Sequence, residues 1–195
     1  MAENRRARLA AALAIITALL ATLWDSGTAR AADAGAAHLV LPDVALVDQD
    51  GTPRKLGGDL LGGRLALVSF VFTGCTTICS PVGANMGALD HLLGARAGSD
   101  VDLISVTLDP YNDTPATLAK WRAQFDDAAG WRLVTGEPRA VQALLHAMQA
   151  DAADINGHDA FLWLGDPKAG TWHQVSSLAA PAELLALVDR LAPAP

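Results

Sequence analysis

The stretch Leu65-Ala66-Leu67-Val68-Ser69-Phe70-Val71-Phe72-Thr73-Gly74-Cys75-Thr76-Thr77-Ile78-Cys79-Ser80-Pro81 runs from an apolar segment into two cysteines. Leu65 to Phe72 is nearly continuous in β-formers, the pattern of a strand covered on both faces. Pro81 to Leu93 then places Val82, Met86, Leu89 and Leu93 at steps of three and four, which predicts a helix. Strand, loop and helix in that order put Cys75 and Cys79 at the C-terminal mouth of a buried strand. Open α/β sheets hold their sites at that place.

Outward from this unit, strands and helices alternate. Val44 to Val47 and Thr52 to Leu56 flank Asp50-Gly51, a hairpin signal. Val101 to Thr107 reads as a second buried strand. Asp113-Thr114-Pro115 opens a helix, with Asp113 or Thr114 as its cap and the proline in its first turn. A short strand is expected over Trp131–Thr135 and a helix over Glu137–Met148. Phe161–Leu164 and Thr171–Val175 pair across a turn at Gly165–Gly170, and Pro181–Leu191 is a closing amphipathic helix. This order predicts one α/β domain with a mixed central sheet flanked by helices, thioredoxin-like, with the hairpin as an N-terminal addition. Trp121, Trp131, Trp163, Trp172 and Met86 read as packing residues. Asp48, Asp50, Asp126 and Asp127 read as solvated loop charges.

The N-terminus reads as a targeting segment. Arg5, Arg6 and Arg8 precede the uncharged stretch Leu9 to Trp24, and Ala29-Arg30-Ala31 supplies small residues for cleavage. Residues 1–31 are thus expected to be a signal peptide or a retained N-terminal anchor that associates with the inner membrane. Residues 32–38 are read as a linker and 39–195 as the domain. Either reading sends the domain out of the cytoplasm, to a periplasmic or other exported location where dithiols oxidise. The net charge of −7 argues against a nucleic-acid partner.

A domain of this length needs no disulfide staple, so the two cysteines are candidates for chemistry. Their spacing of four brings both sulfurs to one face of a helix or turn. Such a pair can cycle through a disulfide or hold a soft metal. Zinc would want two further ligands, whereas Cu(I) is satisfied by two thiolates and one imidazole. Of five histidines, His38, His91, His146 and His173 fit surface or core roles. His158 differs, because Asn156-Gly157-His158-Asp159 is a loop leading into the apolar strand at Phe161.

Several segments, in order, resemble the Sco/SenC family of thioredoxin-fold copper proteins. Phe70-Val71-Phe72-Thr73-Gly74-Cys75 is similar to the family's strand and CxxxC loop, and Met86 to its methionine. Ser105-Val106-Thr107-Leu108-Asp109-Pro110 with Asp113-Thr114-Pro115 is similar to its SVDP…DTP segment, and Thr135-Gly136 to its LTG stretch. Gly157-His158-Asp159-Ala160-Phe161-Leu162-Trp163-Leu164-Gly165-Asp166-Pro167 resembles its histidine loop, strand and DP turn. The resemblance implies copper, as Cu(I) or Cu(II), bound by Cys75, Cys79 and His158, with Asp109 nearby. It also implies a partner: the cytochrome c oxidase subunit that carries the dinuclear CuA centre, or another copper protein. The protein would deliver copper to it or reduce its cysteines. The spacer departs from the family: Thr76 and Ser80 stand where prolines are common, and no acidic residue lies between the cysteines. Two other readings stay open. One is a thiol–disulfide oxidoreductase with Cys75 as nucleophile and Cys79 as resolving thiol. The other is a peroxidase of the same superfamily, which would want threonine where Phe72 stands.

Overall fold

The computed structural model describes residues 34–62, 65–126, 129–151, 155 and 159–192. The segment read as a signal or anchor, Asp127 and His158 lie outside the described residues. Among the described residues, no helix is long and apolar enough to cross a membrane.

The two apolar runs that open the α/β pattern form the centre of the sheet. Leu65–Val71 (β4) and Val101–Thr107 (β5) are buried along their whole length. They pair in parallel from Leu65↔Val101 to Val71↔Thr107. Such burial on both faces explains why neither strand shows alternating polarity in sequence. Trp131–Thr135 (β6) continues the parallel sheet, while Phe161–Asp166 (β7) joins the other side of β4 antiparallel and Thr171–Ser176 (β8) follows it. The hairpin of Ala45–Asp48 (β2) and Pro53–Lys55 (β3) attaches to β6 through β2. With Ala34–His38 (β1), the described residues form a sheet of eight strands in the order β1-β8-β7-β4-β5-β6-β2-β3.

Among the described residues, four α-helices cover this sheet: Cys79–Leu93 (α1), Pro115–Arg122 (α2), Pro138–Ala147 (α3) and Pro181–Leu191 (α4). Prolines stand in the first turns of α2, α3 and α4, where a missing N–H costs nothing. α1 packs on α4, and its Gly83 faces Trp121 of α2, which reaches Trp131 at 6.0 Å between ring centroids. α3 lies on the other face. Trp163 stands beside Val68 in the register, one residue out of phase with Ser69, and its indole donates to the Met148 carbonyl at 2.6 Å just after α3. The mixed sheet with helices on both faces is the architecture expected from the sequence. Met86 and the four tryptophans named above are buried, also as expected.

Three local expectations need correction. The segment read as a linker is a strand over Ala34–His38, pairing with β8 at Ala37↔Trp172 and His38↔Thr171. Alanine and glycine carry little strand propensity, and β1 owes its conformation to the edge of β8 that it covers. Asp48 is not a solvated loop charge: it is fully buried, accepts the Asp50 and Thr52 amides at 3.0 and 2.9 Å, and pairs with Arg54 at 2.8 Å. The hairpin turn, with Gly51 at φ +77°, directs its amides inward, and the carboxylate satisfies them. Burial pushes the Asp48 carboxyl up, but Arg54 and the two amides together hold it below 3.8. The third correction is Gly165, placed in the β7–β8 turn by sequence but lying within β7 opposite Trp172.

Candidate metal centre

At the end of β4 the chain leaves the sheet in a tight reversal. The Cys75 amide donates to the Phe72 carbonyl at 3.2 Å, and α1 begins at Cys79. The residue before that helix, Ile78, has no capping side chain. The sulfur of Cys75 takes the vacant role: the Cys79 amide donates to it at 3.4 Å, and Thr77 Oγ1 lies 3.5 Å away. A thiol therefore sits where helix starts usually place a Ser, Thr or Asp oxygen. The same position carries the partial positive charge of the first helical turn.

The two sulfurs have unlike surroundings. Burial pushes the half-buried Cys75 thiol up, yet hydrogen bonds from the Cys79 thiol, Thr77 and the Cys79 amide outweigh it and bring it from 9.0 down to about 7. Cys79 is fully buried. Burial, the hydrogen bond to Cys75 and the negative charges of Cys75 and Asp113 push it up to about 12. Near neutral pH the pair thus combines a partly ionised Cys75 with a protonated Cys79, each within reach of the other.

A buried carboxylate lies under the loop. Asp113, 3% exposed, accepts the Thr73 amide at 3.2 Å, the Thr73 hydroxyl at 2.5 Å and the Thr107 hydroxyl at 2.6 Å. In sequence Asp113 and Thr114 were both candidate caps for α2. Thr114 does the capping, accepting the Thr117 amide at 3.2 Å, and Asp113 turns to the cysteine loop. The sequence offers Asp113 as a helix cap and as part of the Asp113-Thr114-Pro115 segment, whereas its partners lie in the loop after β4 and at the end of β5. Deeper still, the Ser69 and Ser105 hydroxyls are 2.6 Å apart, and the Trp131 indole donates to Ser105 at 2.9 Å.

Of the predicted ligands, the structure brings Cys75 and Cys79 together, and His158 lies outside the described residues. Among the described residues, no three His, Cys, Asp or Glu side chains form a metal-binding group. Asp159 and Ala160, which follow His158, lead into β7, which pairs antiparallel with β4. They stand at the end of the sheet from which β4 releases the cysteine loop, where Phe161 meets Phe70 at 5.4 Å. His38, His91 and His146 are exposed, and His173 is half-buried in β8. The Asp109 carboxylate closes its own turn on Asn112, at 2.8 Å from Nδ2, and borders a cleft of about 570 Å³ with Tyr111, Leu145, His146 and Ile155. Two adjacent sulfurs, one ionising near neutrality, fit a soft metal such as Cu(I) better than a hard cation.

A family model described as SCO1/SenC matches residues 32–192. The chain belongs to the SCO1/SenC family. It is similar to the SCO1 protein homolog of Bacillus subtilis (strain 168), with 38% identity over 90 residues, 46% of this chain and 45% of that protein. The match thus spans about half the length of that relative. Among solved structures, it is similar to copper-bound ScoI of Bradyrhizobium japonicum, with TM-score 0.65 and 22% identity over 77% of this chain and 98% of that one. It is also similar to BsSco, a member of the Sco family of cytochrome c oxidase assembly proteins in which a disulfide switch has been identified. That match has TM-score 0.66 and 26% identity over 80% of this chain and 95% of that one. The shared fold is the thioredoxin-like mixed sheet of the Sco family.

Proposed function

We propose that this chain is an exported copper-binding factor that serves assembly of the CuA centre of cytochrome c oxidase. The observation that carries the reading is the meeting of two unlike sulfurs at the mouth of β4, with the Cys75 thiol brought down to about 7. Family membership supports it, as do the copper bound to one relative and the assembly role of another. Cys75, Cys79 and His158 are the proposed ligands. A site with one half-buried sulfur leaves a side from which a recipient's ligand can approach, which suits delivery more than storage. Binding takes a thiolate from each cysteine, so it releases protons and weakens as pH falls. The recipient is the oxidase subunit that carries CuA, or another copper protein. The working location is the periplasm, with residues 1–31 serving as signal or inner-membrane anchor.

The unlike thiols also favour a second reading, reduction of a target disulfide. The Cys75 thiolate attacks one sulfur of that disulfide and forms a mixed disulfide, releasing the other sulfur as a thiolate. Cys79 then gives up its proton and attacks Cys75, so the target leaves as a dithiol and Cys75–Cys79 as the disulfide. His158→Ala separates the two. The copper reading predicts a loss of Cu(I) retention with disulfide exchange unchanged. Cu(I) held as tightly by the variant as by the wild type would remove His158 from the ligand set.

A further inference from the structure

Asp113 has no explanation in the fold alone. Burying a carboxylate is costly, and no described lysine or arginine forms an ion pair with it. The cap of α2 is already supplied by Thr114. What the carboxylate does is link two elements. On one side it accepts from Thr107, the last residue of β5 and part of the rigid centre of the sheet. On the other it accepts both the amide and the hydroxyl of Thr73, two residues ahead of Cys75. Between these anchor points Leu108 donates to the Val71 carbonyl at 2.8 Å, so the loops leaving β4 and β5 are tied together twice. Within the loop itself the Cys75 amide donates to the Phe72 carbonyl.

We propose that Asp113 is a positioning residue for the cysteine pair, acting through Thr73 to hold the Cys75 sulfur against the Cys79 amide. The proposal rests on the cysteine pair being the working site and deepens that reading. The arrangement that Asp113 holds is the dithiol one, in which the Cys75 sulfur accepts from Cys79. Releasing Thr73 therefore weakens the dithiol against the disulfide. Thr73→Val removes the hydroxyl and keeps the side chain's shape, and Thr73→Ser restores the hydroxyl.

The test is the equilibrium of the Cys75–Cys79 pair in glutathione buffers. There the two thiols give up two electrons and two protons to form the disulfide, and glutathione disulfide becomes two molecules of glutathione. Thr73→Val is expected to shift this equilibrium about tenfold toward the disulfide, about 30 mV, and Thr73→Ser to return it to within about twofold of the wild type. In an Asp113→Ala background Thr73→Val should shift it less than about twofold, because the partner through which Thr73 acts is gone. A Thr73→Val shift that is equally large in both backgrounds overturns the proposal. So does a Thr73→Val chain whose melting temperature falls while its equilibrium stays at the wild-type value. Thr73→Val and Thr73→Ser in the wild-type background decide the matter even if Asp113→Ala does not fold. The equilibrium is read without copper, so failure of the copper reading leaves this test intact.

Discussion

Cys75 and Cys79 are four positions apart and share a hydrogen bond, yet the chain gives them opposite characters. Cys75 lies in a loop, half-buried, where it collects donors from a helix start and two side chains. Cys79 is the first residue of α1, shut off from solvent, with a thiolate-forming neighbour and a buried carboxylate close by. Proximity alone does not make a symmetric dithiol. The boundary between loop and helix, falling between the two residues, divides them into an accessible thiolate and a shielded thiol. A pair so divided can exchange as a redox couple, and it can bind a soft cation once the second proton leaves.

The strongest way to break this comparison is to separate the two thiols. At pH 7, Cys79→Ser leaves Cys75 to react with iodoacetamide, and Cys75→Ser leaves Cys79. The first variant should alkylate at least about 100-fold faster than the second. Equal rates would mean that the division between loop and helix does not exist in solution. The next effect is on the pH dependence of stability in the reduced chain. Between about 7 and 9.0 the unfolded Cys75 is protonated and the folded one is not, so stability rises with pH across that window and is lost as pH falls through about 7. Between 9.0 and about 12 the order reverses for Cys79, protonated when folded and ionised when unfolded, so stability falls. Denaturant melts of the wild type and the two serine variants check both signs, each serine variant losing its own limb.

Two smaller effects sharpen the comparison by leaving it untouched. At Gly165 an added Cβ would run into the Thr171 carbonyl and lie 2.8 Å from Trp172 Cα, both backbone atoms of the neighbouring strand. Gly165→Ala should cost about 1–3 kcal/mol in urea unfolding. Ser105→Ala removes one hydroxyl from the buried Ser69–Ser105–Trp131 chain and should cost about 1–2 kcal/mol. In both variants the alkylation contrast between the cysteines should persist. If it collapses, its cause is the sheet as a whole and not the loop and helix around the sulfurs.

Much of this architecture could be read from the sequence because its signals are local. The apolar runs at Leu65 and Val101, the Asp50-Gly51 turn and the prolines at positions 115, 138 and 181 each mark an element through its own residues. β1 escaped because Ala34–His38 has no strand signal of its own, and its strand exists through pairing with β8. Asp48 escaped because its burial comes from a turn that closes over it, while its sequence neighbours are polar. At the site, the cysteine pair and its helix were legible. Asp113 was not, since Thr73 reaches it from the cysteine loop and Thr107 from the end of β5, and the position reads equally well as a helix cap.

The central claim is that the unlike thiols form a copper site completed by His158. Anaerobic titration of the reduced chain with Cu(I), against a chromophoric competitor, tests it most directly when Cys75→Ser, Cys79→Ser and His158→Ala are run beside the wild type. The account predicts one Cu(I) per wild-type chain and a loss of affinity of at least about 100-fold in each variant. A wild type that binds no Cu(I) or prefers zinc, or three variants that bind as the wild type does, would contradict it.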